Sequence, residues 1–336
     1  MRKIRRALIT GGAGFIGSHL ADALVQRGVV VFVLDNMANG RLENLYQAMD
    51  RGVCRLVQAD LASFEILCRI CANVDTVFHL AGLADIVPSV GNPRCYFNAN
   101  TSGTINVLEA ARSTGVERLV YAASSSCYGI SQVCPTPETA PINPQYPYAL
   151  SKWLGEECLM HWGKVYGLAV NSLRLFNVYG PRARTRGAYG GVFKVFLPQK
   201  LAGKPFTIVG DGRQVRDFIH VRDVVESFVA AAIGDPVNEV FNVGGGQPQS
   251  VNHLADLLGG ERVYLPKRPG EPEATWADIG KITSLLGWRP QIRFEQGVAE
   301  MLGRIEDYTD AQVWEPETIN EATGSWFANL GRNAGA

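Results

Sequence analysis

Tyr148 and Lys152 stand four residues apart in the run Tyr148-Ala149-Leu150-Ser151-Lys152, so on a helix they share one face. A phenol titrates near about 10 and is a poor base at neutral pH unless a neighbouring cation favours the phenolate. An ammonium group at this spacing is such a cation. The hydroxyl of Ser124, first of the cluster Ser124-Ser125-Ser126, can bond the same substrate hydroxyl that a phenolate would deprotonate. Tyrosine and lysine meet at this spacing on many helices, and the plain alternative for Tyr148 is a half-buried surface aromatic. The choice depends on what the surrounding elements bring to the same place.

Residues 8–20 supply the first of those elements. Ala7 to Thr10 reads as the end of a buried strand and Phe15 to Leu24 has helical spacing of apolar residues, which puts Gly11, Gly12, Gly14 and Gly17 at a strand-to-helix corner. Such a corner lets backbone N–H groups approach a pyrophosphate at the positive end of a helix. A second strand, Val29 to Leu34, ends in Asp35, eighteen residues after Gly17. A carboxylate there accepts from ribose hydroxyls and repels a 2′-phosphate, so the pattern reads as a dinucleotide site that prefers NAD(H) to NADP(H). An oxidised nicotinamide would add its positive charge to that of Lys152.

Along the chain, a short helix is expected near Leu42 to Met49 and a third strand over Cys54 to Val57, leading to Asp60-Leu61. Asp60 reads equally as an acceptor for an adenine amino group or as a helix N-cap. Val74 to Leu80 is a fourth strand, followed by the small pair Ala81-Gly82. Pro93 to Arg112 reads mostly as one helix carrying Asn100, Gly103 and Thr104, and Leu119 to Ala122 as a fifth strand. The helix carrying Tyr148 runs to about Tyr166, and Ala169 to Leu175 is a sixth strand. This alternation predicts an α/β protein with a doubly wound parallel sheet of Rossmann type, in which ligands bind beyond the carboxyl ends of the strands. Gly12, Asp35, Ala81 and Ser124 all fall at those ends.

The alternation then weakens. A glycine- and arginine-rich loop spans Arg182 to Tyr189, with a helix over Val192 to Leu201, a strand over Phe206 to Val209, and a helix over Val221 to Ile233 returning to the first domain. The expected division is 1–176 with 217–240 for the dinucleotide domain, 177–216 with 241–306 for a smaller α/β substrate domain, and 307–336 as a C-terminal tail of little periodicity whose last residues are mobile.

The chain has 336 residues, 46% hydrophobic and 19% charged, with 32 Lys plus Arg against 32 Asp plus Glu. No global field recruits nucleic acid or an anionic membrane, so an anionic substrate must be met by local arginines. No stretch approaches the roughly 20 apolar residues of a membrane span, and Gly11 to Gly17 interrupt the apolar run behind the basic start, which argues against an export signal. Seven cysteines, an odd number, read as reduced thiols of a cytoplasmic protein. Cys68 and Cys71 form a lone C-x-x-C without further ligands at metal spacing, so no metal is expected.

The chain resembles the extended short-chain dehydrogenase/reductase family, and within it the UDP-glucose 4-epimerase branch. The matching segments are Thr10-Gly-Gly-Ala-Gly-Phe-Ile-Gly, Leu34-Asp-Asn, Asp60-Leu, His79-Leu-Ala-Gly, Asn100-Thr-Ser-Gly-Thr, Ser124-Ser-Ser-Cys-Tyr-Gly and Tyr148-Ala-Leu-Ser-Lys. They continue through Arg174-Leu-Phe-Asn-Val-Tyr-Gly-Pro-Arg, Gly210-Asp-Gly-Arg-Gln-Val-Arg-Asp-Phe, Phe241-Asn-Val-Gly-Gly-Gly and Arg268-Pro-Gly-Glu, covering roughly 7–302 in the family's order.

The resemblance implies that Ser124, Tyr148 and Lys152 are catalytic. Around NAD it implies Gly11, Gly14, Phe15, Ile16, Gly17, Asp35, Asn36, Asp60, Leu61, Leu80, Ala81, Gly82 and Asn100, with Tyr148 and Lys152. Around a UDP-sugar it implies Ser124, Ser125, Ser126, Tyr148, Asn177, Val192, Glu271 and Thr275, with Arg216 and Arg268 pairing with the diphosphate; the plain alternative for each arginine is a solvated surface charge. The implied reaction removes the proton of the sugar 4-hydroxyl while hydride passes from C4 to NAD. The 4-keto sugar then turns and takes the hydride back on its other face.

Related dehydratases carry an acidic pair after the residue matching Ser124, and Ser125 and Ser126 cannot replace it. A family tyrosine that excludes N-acetyl groups is matched by Thr275, so UDP-N-acetylhexosamines are expected substrates beside UDP-glucose and UDP-galactose. Cys127 departs from the usual β-branched residue and reads as packing. The alternatives are a net oxidoreductase or decarboxylase on a related sugar nucleotide, and a non-catalytic NAD-binding regulator, which would have no use for the Tyr148 base. Family members pair through two helices, here those near 100–112 and 149–166, so a homodimer is expected.

Overall fold

The computed structural model describes residues 2–331. Its strands are β1 (Arg6–Thr10), β2 (Val30–Asp35), β3 (Cys54–Gln58), β4 (Thr76–His79), β5 (Arg118–Ser124), β6 (Val170–Leu175) and β7 (Asn177–Tyr179). They continue with β8 (Phe206–Val209), β9 (Val215–Arg216), β10 (Phe218–His220), β11 (Glu239–Val243), β12 (Gln249–Ser250) and β13 (Arg262–Leu265). The helices are α1 (Phe15–Gln26), α2 (Tyr46–Met49), α3 (Phe64–Cys71), α4 (Ile86–Gly91), α5 (Pro93–Phe97), α6 (Gly103–Thr114) and α7 (Pro147–Tyr166). After them come α8 (Val192–Leu201), α9 (Val221–Ile233), α10 (Val251–Leu258), α11 (Gly280–Leu286), α12 (Phe294–Gly303) and α13 (Pro316–Leu330).

Seven strands make one parallel sheet in the order β11-β6-β5-β4-β1-β2-β3. Its strands are continuous apolar runs because helices cover both faces. Leu8 points into the core shared with Leu67, Leu108 and Leu159, while Ile9 points into the core shared with Leu20, Leu24 and Phe228. β1 pairs with β2 on one side and β4 on the other, so the chain reverses its direction of travel there and opens a crevice at the strands' carboxyl ends. α9 packs on α1 with Val224, Val225 and Phe228 in the same core, which returns that segment to the sheet.

A second core surrounds the stacked pairs Phe196–Phe206 and Tyr179–Phe193 and draws on α8, α10, α12 and α13. Among the described residues no helix is long and apolar enough to cross a membrane.

Two expectations need correction. Phe241 to Val243, assigned to the smaller domain, lie in β11, which pairs with β6 as an edge of the large sheet; Phe241 and Val243 are fully buried in the first core. The stretch Pro93 to Arg112 is helical throughout, as expected, and continues to Thr114, with a π-turn over Asn98–Ser102 between α5 and α6. The tail is not irregular, because α13 occupies half of it, with Pro316 in its first turn and Ile319, Thr323 and Trp326 buried. The residues 332–336, expected to be mobile, lie outside the described residues.

α7 is fixed to the sheet by a buried ion pair. Arg174 on β6 donates from Nη2 to Glu156 Oε1 at 2.6 Å and from Nε at 3.0 Å, and Ser172 Oγ donates to Glu156 Oε2 at 2.7 Å. Removing one member of such a pair strands a charge in the interior. Glu156→Ala is expected to cost about 3–5 kcal/mol of folding stability, read from the urea unfolding midpoint.

Candidate active site

The crevice begins at the glycine corner. Gly11 has φ +70°, and a Cβ there would stand 2.7 Å from Ala81 N; one at Gly17 would stand 2.4 Å from Gly11 O. Side chains are therefore excluded where β1, β4 and α1 meet. α1 starts at Phe15 with Gly14 as its N-cap and no capping side chain, so the first N–H groups, at Phe15, Ile16 and Gly17, face the crevice mouth unsatisfied by a cap. At the end of β2, the Asp35 carboxylate accepts from Ala13 N at 3.0 Å and Met37 N at 2.9 Å. Burial raises its pKa and these two amides oppose the rise.

Asn36 Nδ2 donates to Asp60 Oδ2 at 2.8 Å, and Asp60 Oδ1 accepts from Ala62 N at 2.9 Å. Asp60 thus shapes the turn, but the N-cap of α3 is Ser63. Leu61 is buried against Gly103. Leu80, Ala81 and Gly82 follow β4, with Leu80 N donating to Thr10 O at 3.1 Å and Ala81 N to Thr10 Oγ1 at 3.2 Å.

Asn100 is engaged by protein groups beside Gly82. It is fully buried, donates from Nδ2 to Leu83 O and Ser151 Oγ at 3.0 Å each, and accepts from Leu83 N at 2.8 Å. Its amide is spent on the protein, so it acts by holding the loop after Gly82 against α7, and the π-turn is what aims it there.

At the carboxyl end of β5, Ser124 Oγ lies 2.8 Å from Ser126 Oγ and accepts from Ser126 N at 3.2 Å, closing the turn that contains Ser125. Pro147 starts α7, and Tyr148, Lys152 and Glu156 follow along one face. The Tyr148 ring is stacked on Tyr146 at 6.4 Å and meets the edge of Tyr96 at 6.4 Å. Burial raises the pKa of Tyr148, while the adjacent Ser124 hydroxyl lowers it. Lys152 is buried with Nζ 4.1 Å from the centre of the Tyr121 ring. Cys127 is buried in a small cluster with Tyr128, Ala140 and Phe176, and burial pushes its thiol up to about 12, so it packs rather than titrates at neutral pH.

Across the crevice, Thr275 Oγ1 donates to Asn177 Oδ1 at 2.9 Å and accepts from Asp217 N at 3.3 Å. Arg268 reaches Glu271 at 3.0 Å and the Tyr189 hydroxyl at 3.0 Å, and Arg216 reaches the other Glu271 oxygen at 4.0 Å. Both arginines are partly buried around one carboxylate, which is not the environment of solvated surface charges. Arg268 Nε is buried without an acceptor among the described residues. A cavity of about 280 Å³ adjoins Arg216 and Glu271, between Val209, Gln214 and Pro272. Val192 opens α8 and packs, partly exposed, against the second core.

Sequence reasoning missed five contributors. Glu156 was signalled by a second four-residue step, from Lys152 onward. Tyr96 and Tyr146, which bracket Tyr148, had no sequence signal of their own. Arg184 bonds Asn39 beyond β2 and Asp85 beyond β4, while Arg182 pairs with Asp22 on α1 at 2.7 Å. The loop holding both arginines therefore crosses from the second half of the molecule to the first.

The model of the NAD dependent epimerase/dehydratase family matches residues 7–244. The chain belongs to this family. It is 36% identical over 303 residues to the UDP-glucose 4-epimerase of Mycolicibacterium smegmatis, covering 88% of this chain and 96% of that one. It superposes with TM-score 0.84 and 35% identity on the UDP-glucose 4-epimerase of Thermotoga maritima, solved with UDP-glucose, covering 90% of this chain and 99% of the other. The same score, with 31% identity and coverage of 90% and 100%, relates it to the UDP-N-acetylglucosamine 4-epimerase of Methanobrevibacter ruminantium, solved with UDP-N-acetylmuramic acid.

As a member of the epimerase/dehydratase family the chain takes NAD, and its residues fit that cofactor: the glycine corner admits a pyrophosphate, and Asp35 retains lone pairs for ribose hydroxyls. Burial lowers the Lys152 ammonium to about 7, against the Glu156 carboxylate, which raises it. Between about 7 and the ordinary lysine value of 10.5, the unfolded chain binds more protons than the NAD-free folded one. The stability contributed by this group is therefore present at high pH and lost as pH falls to about 7. In NAD-stripped protein, the melting temperature of the wild type relative to Lys152→Met is expected to rise with pH through that window; a constant difference contradicts it.

Proposed function

We propose that the protein is an NAD-dependent UDP-sugar 4-epimerase acting on UDP-glucose and UDP-galactose and on their N-acetylhexosamine counterparts. The observation that carries this reading is the convergence of Ser124, Tyr148 and Lys152 at the carboxyl ends of β5 and α7's first turns, opposite the pair Arg216 and Arg268. NAD supplies the hydride acceptor at C4 and returns the hydride.

The chain's own groups do the rest. Tyr148 takes the proton of the 4-hydroxyl, and the Ser124 hydroxyl bonds the same oxygen. Lys152 in its charged form favours the phenolate of a phenol that burial holds protonated. Arg216 and Arg268 hold the diphosphate, exchanging part of their pairing with Glu271 for phosphate oxygens. Anchoring at the diphosphate leaves the 4-keto ring free to turn between its two faces. Ser125 and Ser126 offer no carboxyl group for eliminating water, which favours epimerisation over dehydration. α6 and α7 pack side by side with Val165 and Tyr166 exposed at the end of α7, which supports the reading of a homodimer formed through these helices. We assign the protein to the cytoplasm on its unpaired cysteines.

Incubation with UDP-glucose, UDP-N-acetylglucosamine and UDP-glucuronate without added reductant, followed by chromatography, tests the reaction. Interconversion of 4-epimers with no NADH released is expected; release of carbon dioxide or NADH would replace the reading with a decarboxylase or a net oxidoreductase. Tyr148→Phe is expected to lower kcat by about 10²–10⁴ with NAD still bound.

Thr275 sits against Asn177, and its side chain is far smaller than a tyrosine. Thr275→Tyr is expected to abolish turnover of the N-acetylated substrate while keeping that of UDP-glucose, measured as the ratio of the two kcat/KM values.

A further inference from the structure

We propose that the C-terminal helix α13 positions the active site, with Trp326 as the positioning residue that holds both the Tyr148 ring and the Arg268 loop. The proposal rests on the reading of Tyr148 as base and Arg268 as diphosphate ligand. The two solved relatives are covered over 99% and 100% of their length by 90% of this chain, so about a tenth of this chain has no counterpart in them. The family's motifs fall within 7–302, and α13 lies beyond them.

Trp326 is 2% exposed and makes two directed contacts. Its ring lies 5.4 Å from that of Tyr146, and Tyr146 is stacked on Tyr148 with an interplanar angle of 7°. Its indole N–H donates to Pro269 O at 2.9 Å, in the residue that follows Arg268. Trp314, just before α13, meets the edge of Tyr189, and Tyr189 in turn carries the Arg268 guanidinium over its ring at 5.0 Å. α13 also packs on α4, directly after the loop that carries Gly82 and Asp85.

An aliphatic side chain at 326 would satisfy the packing of the second core as Ile319 does. The indole adds a bond to the backbone beside one candidate ligand and an aromatic contact, tilted at 48°, to the ring that stacks on the candidate base. A catalytic group needs its support held to a fraction of an ångström, and Tyr148, at the mouth of the crevice in α7's first turn, has Tyr146 as its stacked neighbour.

The test uses the full-length protein and its Trp326→Phe, Trp326→Ala and Tyr146→Leu variants. UDP affinity is read by calorimetry, kcat and KM with the nucleotide sugar that is turned over, and bound NAD by absorbance. Trp326→Phe keeps the ring and loses the N–H, so UDP affinity is expected to fall about five- to tenfold with kcat within twofold. Tyr146→Leu is expected to lower kcat about tenfold or more and leave UDP affinity in place. Trp326→Ala is expected to do both, with NAD content unchanged.

Wild-type UDP affinity in Trp326→Phe together with wild-type kcat in Tyr146→Leu overturns the proposal, even where Trp326→Ala melts early or fails to fold. Tyr148→Phe serves as the control. If it turns over like the wild type, the reading of the base fails and the proposal with it; if it is inactive while the other variants behave as wild type, only the role of α13 is lost.

Discussion

The buried pair between Glu156 and Arg174 is the constraint from which the arrangement of the active site follows. It joins α7 to β6 in the interior, where neither charge can turn to water, and thereby fixes the rotation of α7 about its axis. Tyr148 and Lys152 lie on the face that this rotation presents, about two turns and one turn ahead of Glu156 respectively. The same carboxylate sits close enough to Lys152 to favour its charged form against a strong burial effect. One interaction thus bears on both the direction of a phenol and the electrostatics beneath it.

A neutral protein that handles an anionic sugar nucleotide has to concentrate cations locally. Arg216 and Arg268 do so by sharing Glu271, so their charges are partly compensated before any ligand arrives. The cost of bringing two guanidinium groups together is offset by that carboxylate and by Tyr189, whose hydroxyl and ring both meet Arg268. The cofactor side follows a different logic, with backbone amides and glycine contacts replacing side-chain charge. The two halves of the crevice therefore differ in kind, one built of amides and glycines and the other of paired charges.

Local patterns were legible in the sequence where they were dense. The helices Val192–Leu201 and Val221–Ile233 and the strand Phe206–Val209 occur with the bounds that periodicity suggested, because each buries one apolar stripe or run between clear breakers. β11 was misassigned because its partner β6 is far away in sequence and nothing within the run of Glu239 to Val243 specifies which sheet it joins. α13 was overlooked because its buried face alternates Ile319, Trp326 and the polar Thr323, which breaks the apolar pattern. Asn100 was expected around the cofactor, and a motif cannot tell which protein groups an amide engages. Ser124, Tyr148 and Lys152 could be singled out because strand ends and helix starts in a doubly wound sheet gather at one edge.

The bonds from Arg184 to Asn39 and Asp85 have a mechanical consequence. Those partners stand beyond the ends of two different strands, while Arg184 is carried by the other half of the molecule. A hinge motion that parts the halves must therefore break both of these partly exposed bonds, so one guanidinium acts as a clasp between them.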